Sequence, residues 1–541
     1  MKTQYALVAL LCMAYFTLSA QTYYDPYQTP YPKDINDTLE ANAVKALFHA
    51  SGDMFFDLEG EAYYRVAPHD SLNTLFAGHL WMGAIDNSGN IRSAAQTYRQ
   101  SDNNYQPGPV SSLYDSVYNQ RYHKVWKMSQ ATIDQHIANW QSPNYVVPSS
   151  IASWPAHGDT AHQEAYYLAP FMDVNGSGVY EPSLGDYPLI RGDQALYIIF
   201  NDDRYSAFSP LKMETHLMAY GFADPSSPAL NESIFLHYKV FNRSAQLYHD
   251  AWIGYWSDLE LGYVLDDDMG TDSALNTLYV YNRDNMDGPQ NGFGQNPPAQ
   301  GISMLNMEMS ASMTYYVDYT DDSIGGPVIG PDYYQFLQGK WKDGQSVTQG
   351  GTGRGGSQAT TYFLNGDPVS NTGWVANNGS NTFFSYDAKD VRGLLSHGPF
   401  VLGPGESICM DLALVYARDP NQNNLENLSL LRQRINEVRN HYFSQDENCL
   451  SAPANRPITS LIEEGEVLLF PNPAQEIVQL RWENDFEQIR VYDLQGRLVF
   501  QQSLGQEKYL RLSIADWVPG FYTINFANDR TQIRQRFVKT D

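Results

Sequence analysis

Oxygen-bearing side chains at alternate positions mark the first place where this chain could do chemistry. Asp173, Asn175 and Ser177 stand two residues apart, with Gly178 sixth in the run and Val179 seventh. This is the first half of a calcium loop. The cation takes about six to eight oxygens, so side chains at the first, third and fifth places and the carbonyl of the seventh must converge through a tight turn. Leu184 stands where the bidentate Glu of such a loop belongs, and Asp186, two residues on, is the substitute. No flanking helices are expected, so the run is not an EF-hand, and an ordinary Asx/Gly turn fits the same residues. A second cluster follows an aromatic strand, Trp252–Trp256, where Asp258, Glu260, Asp266, Asp267, Asp268 and Asp272 put six acids within 15 residues. Carboxylates cannot crowd together ionised without a cation or raised pKa values. Three readings stay open: a solvated loop, a calcium site through Asp258, Glu260, Asp266 and Asp268, or the acid pair of a glycosidase, whose carboxyls stand ~5 Å apart or somewhat more.

Other chemistry is thin. His157, Asp159 and His162 have a spacing open to a transition metal only with a third ligand, and they lack the helical His-Glu-x-x-His context of a metalloprotease. No Gly-x-Ser-x-Gly elbow is present, and the glycine-rich run 350–356 lacks the Lys-Ser/Thr of a phosphate loop. Cys409 falls in an expected strand and reads as buried rather than nucleophilic; with Cys449 it leaves two cysteines after an expected signal peptide that contains Cys12, too few for a disulfide framework.

Placement is written at the two ends. Lys2 precedes an apolar run from Tyr5 to Leu18, and Leu18-Ser19-Ala20 is an acceptable cleavage site, so residues 1–20 are expected to be a signal peptide. Leu11 stands before Cys12 where a lipoprotein needs a small residue, and no later run reaches the ~18 apolar residues of a membrane span. At the other end come Pro471-Asn472-Pro473, then Asp493 and Gly496, then Gly520 and Tyr522, and a basic strand closes the chain. This segment, residues 467–541, resembles the type A C-terminal sorting domain of the type IX secretion system of Bacteroidetes. The resemblance implies an immunoglobulin-like β-sandwich that delivers the folded chain across the outer membrane and is then removed as the cargo is attached to surface lipopolysaccharide or released. Asp followed by Ser or Thr and then an aliphatic residue or Ala recurs, which is similar to the O-glycosylation sequon of such exported proteins and implies modification at Thr38, Ser71, Ser116, Thr160, Ser273 and Ser323. Stretches such as Phe76–Gly83, Trp256–Gly262 and Leu395–Glu406 also resemble a group of large secreted proteins with this tail. That likeness implies export and a β-rich fold, and nothing about chemistry.

The elements that must position these residues are mostly strands. The 39 Tyr, 24 Phe and 10 Trp, with 40 Gly and 29 Pro, point to short aromatic strands joined by tight turns. The formal net charge is −27; the tail holds nine basic and nine acidic residues, so the excess lies on the body and disfavours nucleic acid as a partner. A helix is expected from Ser129 to Trp140, with Ser129 as its cap. Leu425, Leu428, Leu431, Ile435, Val438 and Tyr442 recur at helical steps and predict an amphipathic helix beginning at Asp419-Pro420. The expected organisation is mainly β: an N-terminal β-rich domain (21–164), a central β-sandwich (165–443), a linker (444–466) and the sorting domain (467–541). Two functions fit: a non-catalytic adhesin or glycan-binding protein stabilised by calcium, or a secreted polysaccharide hydrolase using acids of the 258–272 loop.

Overall fold

The computed structural model describes residues 35–57, 60–69, 71–97, 105–204, 210–288, 291–316, 324–376 and 391–444, and in the tail 454–455, 467–470, 475, 477–482, 486–492, 497–505, 508–527 and 532–540. The protein is mainly β and forms two compact units, residues 1–453 and 454–541.

The body is built on a nine-stranded antiparallel sheet. Its order is Asp267–Asp272, Thr277–Asn282, Ala299–Met304, Ser407–Ala417, Ser233–Asn242, Met213–Gly221, Gln194–Asn201 and Gln106–Pro107, with Trp126–Ser129 pairing Gln194–Asn201 as well. Four of these strands matter most below: β1 (Gln194–Asn201), β2 (Met213–Gly221), β3 (Ser233–Asn242) and β4 (Ser407–Ala417). Successive side chains of a strand point to opposite faces. One face of this sheet sends Leu196, Ile198, Leu217, Leu236, Val240 and Leu412 into the core shared with a five-stranded sheet. That second sheet runs Ala311–Tyr316, Val391–Leu402, Tyr248–Asp258, Ala77–Ile85, Ile91–Ala94. The opposite face packs under helix α1 (Asn424–Phe443), whose Leu428, Leu431, Ile435, Val438 and Tyr442 lie on Ala413, Val415 and Ala417 of β4. With both faces covered, β1 to β4 read as almost unbroken apolar runs in the sequence.

Strands from both sides of residue 164 share these sheets: Ala77–Ile85 pairs with Tyr248–Asp258, and Trp126–Ser129 pairs with β1. The expected division at 164/165 therefore does not separate two units. The helix expected after Ser129 spans Gln130–Asn139, and the Ser129 hydroxyl accepts the Thr132 N–H at 3.2 Å. Helix α1 begins later than expected. Its cap is Asn423, which accepts the Leu425 and Glu426 N–H groups while Glu426 returns a bond to the Asn423 N–H at 2.8 Å. Asp419 is occupied instead by the Asn421 N–H. The tail unit holds two antiparallel sheets, of three and four strands, around Val478, Leu480, Trp482, Ile489, Val491, Ile524 and Phe526. Tyr522 is buried there, while Pro471, Asn472, Pro473, Asp493 and Gly496 lie outside the described residues.

Candidate functional site

The Asp173 run folds as one closed loop. Gly176 and Gly178, both at positive φ, make the turn. Asp173 accepts the N–H groups of Ser177 (3.1 Å) and Gly178 (2.7 Å), and Asn175 accepts Ser177 N–H at 2.9 Å. The Ser177 hydroxyl donates to the Val179 carbonyl and to Glu181, a residue the sequence did not single out. Asp186 is fully buried and closes the loop from beneath, accepting Val174 N–H at 2.8 Å and Glu181 N–H at 2.7 Å. Burial raises its pKa above the ordinary carboxylate value, and the nearby Asp173 and Glu181 add to the rise.

The Asp258–Asp268 acids do not form one ligand set. Asp258 belongs to the five-stranded sheet and pairs in the interior with Arg392 at 2.5 Å. Asp268 sits in the nine-stranded sheet and pairs with Arg283 at 3.2 Å, with burial lifting its pKa to about 6. Asp266 accepts from Asn282 and the Gly288 N–H, and Asp267 from the Leu261 N–H. Glu260 is half-buried beside them. The residues are neighbours in sequence, but alternation along strands and the break between sheets give Asp258, Asp266, Asp267 and Asp268 different partners. Among the described residues, no group of three or more His, Cys, Asp or Glu side chains is arranged to hold a metal ion. His157 has both ring nitrogens engaged, with Tyr180 N–H at 2.9 Å and the Tyr166 carbonyl at 3.2 Å, so no lone pair is left for a metal. Cys409 is half-buried where burial was expected, and it is disulfide-bonded, so it is not a nucleophile.

Of the sequon residues, Ser71, Ser116, Thr160 and Ser273 are exposed and Thr38 is half-buried, while Ser323 lies outside the described residues. Their acids have local work of their own: Asp115 caps a helix through Val117 and Tyr118 N–H, Asp159 caps a turn through Ala161 N–H, and Asp272 accepts Leu275 N–H.

The arrangement best suited to holding a small molecule was not singled out from the sequence. A cavity of about 320 Å³ opens on the outer face of the nine-stranded sheet, between β1–β3 and the segment 165–170. Its chemistry comes from Tyr166, Tyr167, Tyr197, His216, Lys239 and Arg243. Register places Ile199, His216, Lys239 and Cys409 in one row across β1–β4, and Tyr197, Met218, His237 and Asp411 in the next. Behind the cavity the polar groups form a chain. The Tyr197 hydroxyl meets His216 Nδ1 at 2.9 Å, His216 Nε2 meets Glu214 at 3.1 Å, and Arg243 reaches the same Glu214 oxygen at 2.6 Å. The second Glu214 oxygen accepts Val110 N–H at 2.9 Å.

Burial pushes Glu214 upward, but the His216 hydrogen bond and the Arg243 charge outweigh it and hold the carboxyl at about 2. Burial lowers the pKa of His216 despite Glu214, so its ring is neutral, with Nε2–H donating to Glu214 and Nδ1 accepting from Tyr197. Burial, and then the Glu214 charge, push the Tyr197 phenol well above its ordinary value, which makes Tyr197 a hydrogen-bond donor and not a base at neutral pH. In the next row His237 meets Asp411 at 2.5 Å, and Tyr442 of α1 donates to the other Asp411 oxygen at 2.5 Å.

The mouth is aromatic. Tyr166 and Tyr167, both in its lining, are 40% and 37% exposed. Tyr166 stacks on His157 at 4.3 Å. Its hydroxyl donates to the Gly178 carbonyl at 3.3 Å, so the Asp173 loop props this wall. A signal for the site does exist in the sequence: Glu214 and His216, then His237 and Lys239, stand two residues apart inside strands otherwise rich in apolar residues.

Residues 468–540 match the family described as secretion system C-terminal sorting domain. That match shows an exported protein of the secreted or cell-surface class, carrying a type IX sorting tail. No curated protein matches the chain. Among solved structures, a polysaccharide lyase is 10% identical with a TM-score of 0.20, covering 66% of this chain and 37% of its own. The carbohydrate-binding module and neighbouring domain of Clostridium perfringens ZmpB are 9% identical with a TM-score of 0.11, covering 57% of this chain and 89% of theirs. Neither likeness is close enough to carry an argument. Among the described residues no helix is long and apolar enough to cross a membrane.

Proposed function

We propose that the body is a non-catalytic glycan-binding protein or adhesin, handed to the type IX machinery by its tail and displayed on surface lipopolysaccharide or released. The observation that carries this reading is the cavity itself: about 320 Å³, at the small end of the roughly 300–1,000 Å³ of ligand pockets, with two exposed tyrosine rings at its mouth. Flat aromatic faces beside fixed polar groups suit a sugar ring, which is apolar on its face and hydroxylated at its edge. Of the acids proposed for hydrolysis, Asp258 and Asp268 are tied to arginines and Asp266 to Asn282 and the Gly288 N–H, which favours binding over turnover.

Calcium belongs to the same reading, held by Asp173, Asn175, Ser177, the Val179 carbonyl and Asp186. Because Gly178 supports Tyr166, a cation in this loop would stiffen the aromatic wall. The test is a glycan panel presented to the full chain and to the Tyr166→Ala/Tyr167→Ala variant, with and without calcium. Binding by the wild type that falls at least tenfold in the variant is expected. Binding that survives loss of both rings would overturn the assignment of this cavity.

A further inference from the structure

We propose that His237 sets which sugar the cavity accepts: its Nε2 takes a hydrogen bond from one hydroxyl of the bound ring. This deepens the glycan-binding reading and rests on it. Two histidines line the cavity, and they differ in what they have left to offer. His216 has both ring nitrogens engaged, Nδ1 with the Tyr197 hydroxyl at 2.9 Å and Nε2 with Glu214 at 3.1 Å. His237 uses only Nδ1, which donates to Asp411 at 2.5 Å. Among the described residues the His237 Nε2 has no hydrogen-bond partner, and it is not sealed from solvent as the Nε2 atoms of His79 and His441 are. The residue is 96% buried, so the small part that solvent reaches belongs to the cavity wall.

The surroundings hold this arrangement in place. Register pairs His237 of β3 directly with Asp411 of β4. Tyr442 of α1 donates to the second Asp411 oxygen at 2.5 Å, and Arg191 Nη1 stands 3.9 Å from the first. A carboxylate oxygen can only accept, so Nδ1 carries the proton and the neutral ring keeps its lone pair on Nε2. The bond to Asp411 polarises the ring toward that lone pair. Lys239 and Arg243, the charged side chains of the same lining, are donors by nature. A sugar entering past Tyr166 and Tyr167 therefore meets a fixed acceptor at His237. A ring with no hydroxyl at that point would leave Nε2 desolvated and unpaired, and the site would discriminate against it.

The test uses the full chain and the methyl glycosides of glucose, galactose, mannose and xylose, each also with single hydroxyls replaced in turn by fluorine. Fluorine fills much of the space of a hydroxyl but donates no hydrogen bond. In titration calorimetry at least one parent sugar should bind, and fluorine at one of its positions should weaken binding about tenfold or more. His237→Asn keeps an N–H for Asp411 and removes the cavity acceptor. It should bind the parent sugar about tenfold more weakly, melt near the wild type, and no longer discriminate against that fluorinated sugar. A merely structural role for His237 would weaken both sugars together and preserve the discrimination, which overturns the proposal. Should the Asn variant fold poorly, carbethoxylation of His237 by diethyl pyrocarbonate, located by mass spectrometry, serves instead: the parent sugar must slow it, and an unchanged rate overturns the proposal. Equal affinity for the parent and all its fluorinated forms overturns the His237 inference and leaves the glycan reading standing. No binding of any parent sugar by the wild type overturns both.

Discussion

Glu214→Gln is the sharpest probe of the polar wall behind the cavity. Glu214 has no exposed surface, and its carboxyl is held at about 2 against an ordinary 4.5. A depression of that size, at roughly 1.4 kcal/mol per pKa unit, corresponds to about 3 kcal/mol of stabilisation at neutral pH. The sign follows from the depressed value. The folded state binds the proton less well than the unfolded chain, so the stabilisation is complete above pH 4.5 and is lost as pH falls toward 2. At pH 7 the Gln variant should therefore unfold at lower urea, destabilised by about 3 kcal/mol, because Arg243 loses its counter-ion and His216 its charged acceptor. Below pH 4.5 the difference from wild type should narrow. Adding Arg243→Met should recover part of the loss, since neither partner then leaves a charge behind. Tryptophan fluorescence during urea unfolding, repeated at pH 7 and pH 3, reads all of this. A Gln variant within about 0.5 kcal/mol of wild type at pH 7, or a difference that does not narrow in acid, would refute the reasoning that Glu214 is ionised and paired.

Four further outcomes are expected. Millimolar calcium should raise the melting midpoint, since a ligand at a hundred times its Kd stabilises by ~2.7 kcal/mol; chelator should reverse the rise, and Asp173→Asn should abolish it. Asn423→Ala should cost about 1 kcal/mol in urea unfolding through loss of the capping box, while Asp419→Ala should cost the helix far less. Asp202 has its pKa raised, chiefly by burial, to about 7 from 3.8, so it favours the folded state increasingly as pH drops from above 7 toward 4; the difference in unfolding midpoint between wild type and Asp202→Asn should shift in favour of the wild type between pH 8 and pH 5, and a difference independent of pH would contradict this assignment. A chain ending at residue 466 should accumulate in the periplasm of a type IX-competent host, as read by fractionation, and surface display of that chain would count against the tail as the sorting signal.

Local features were legible in the sequence and spatial assemblies were not. The stripe from Leu428 to Tyr442 predicted the face that α1 buries, and Ser129 predicted a cap, because helix periodicity and capping act within a few residues. Asp419 misled as a cap because Asp and Asn are equally good caps, and only the structure shows Asp419 engaged by Asn421. The Asp258–Asp268 run shows the limit of spacing: nearness along the chain is not nearness in space, and Asp258 and Asp268 end on different sheets with different arginines. The cavity draws on residues from Ala165 to Arg243, which only strand register juxtaposes. The boundary at 164/165 failed for the same reason, since Ala77–Ile85 finds its partner in Tyr248–Asp258.

The position of the polar row is itself an argument for a role in binding. A sheet covered on both faces has no structural need for Glu214, His216, His237 and Asp411 in its middle, and each would cost free energy there if left unpartnered. The fold satisfies them by pairing every acid with a base and adding Tyr197 and Tyr442 as donors. Similar volumes of Leu or Met would hold the same strands together without these conditions. What such residues could not provide is a rigid polar floor, with the Arg243 fork fixed by Glu214 and His216 locked in one tautomer. Preorganised groups lose little freedom when a ligand arrives, so more of each contact is available as affinity. The row lies on the outer face between α1, whose Tyr442 reaches Asp411, and the 165–170 segment, which walls the cavity.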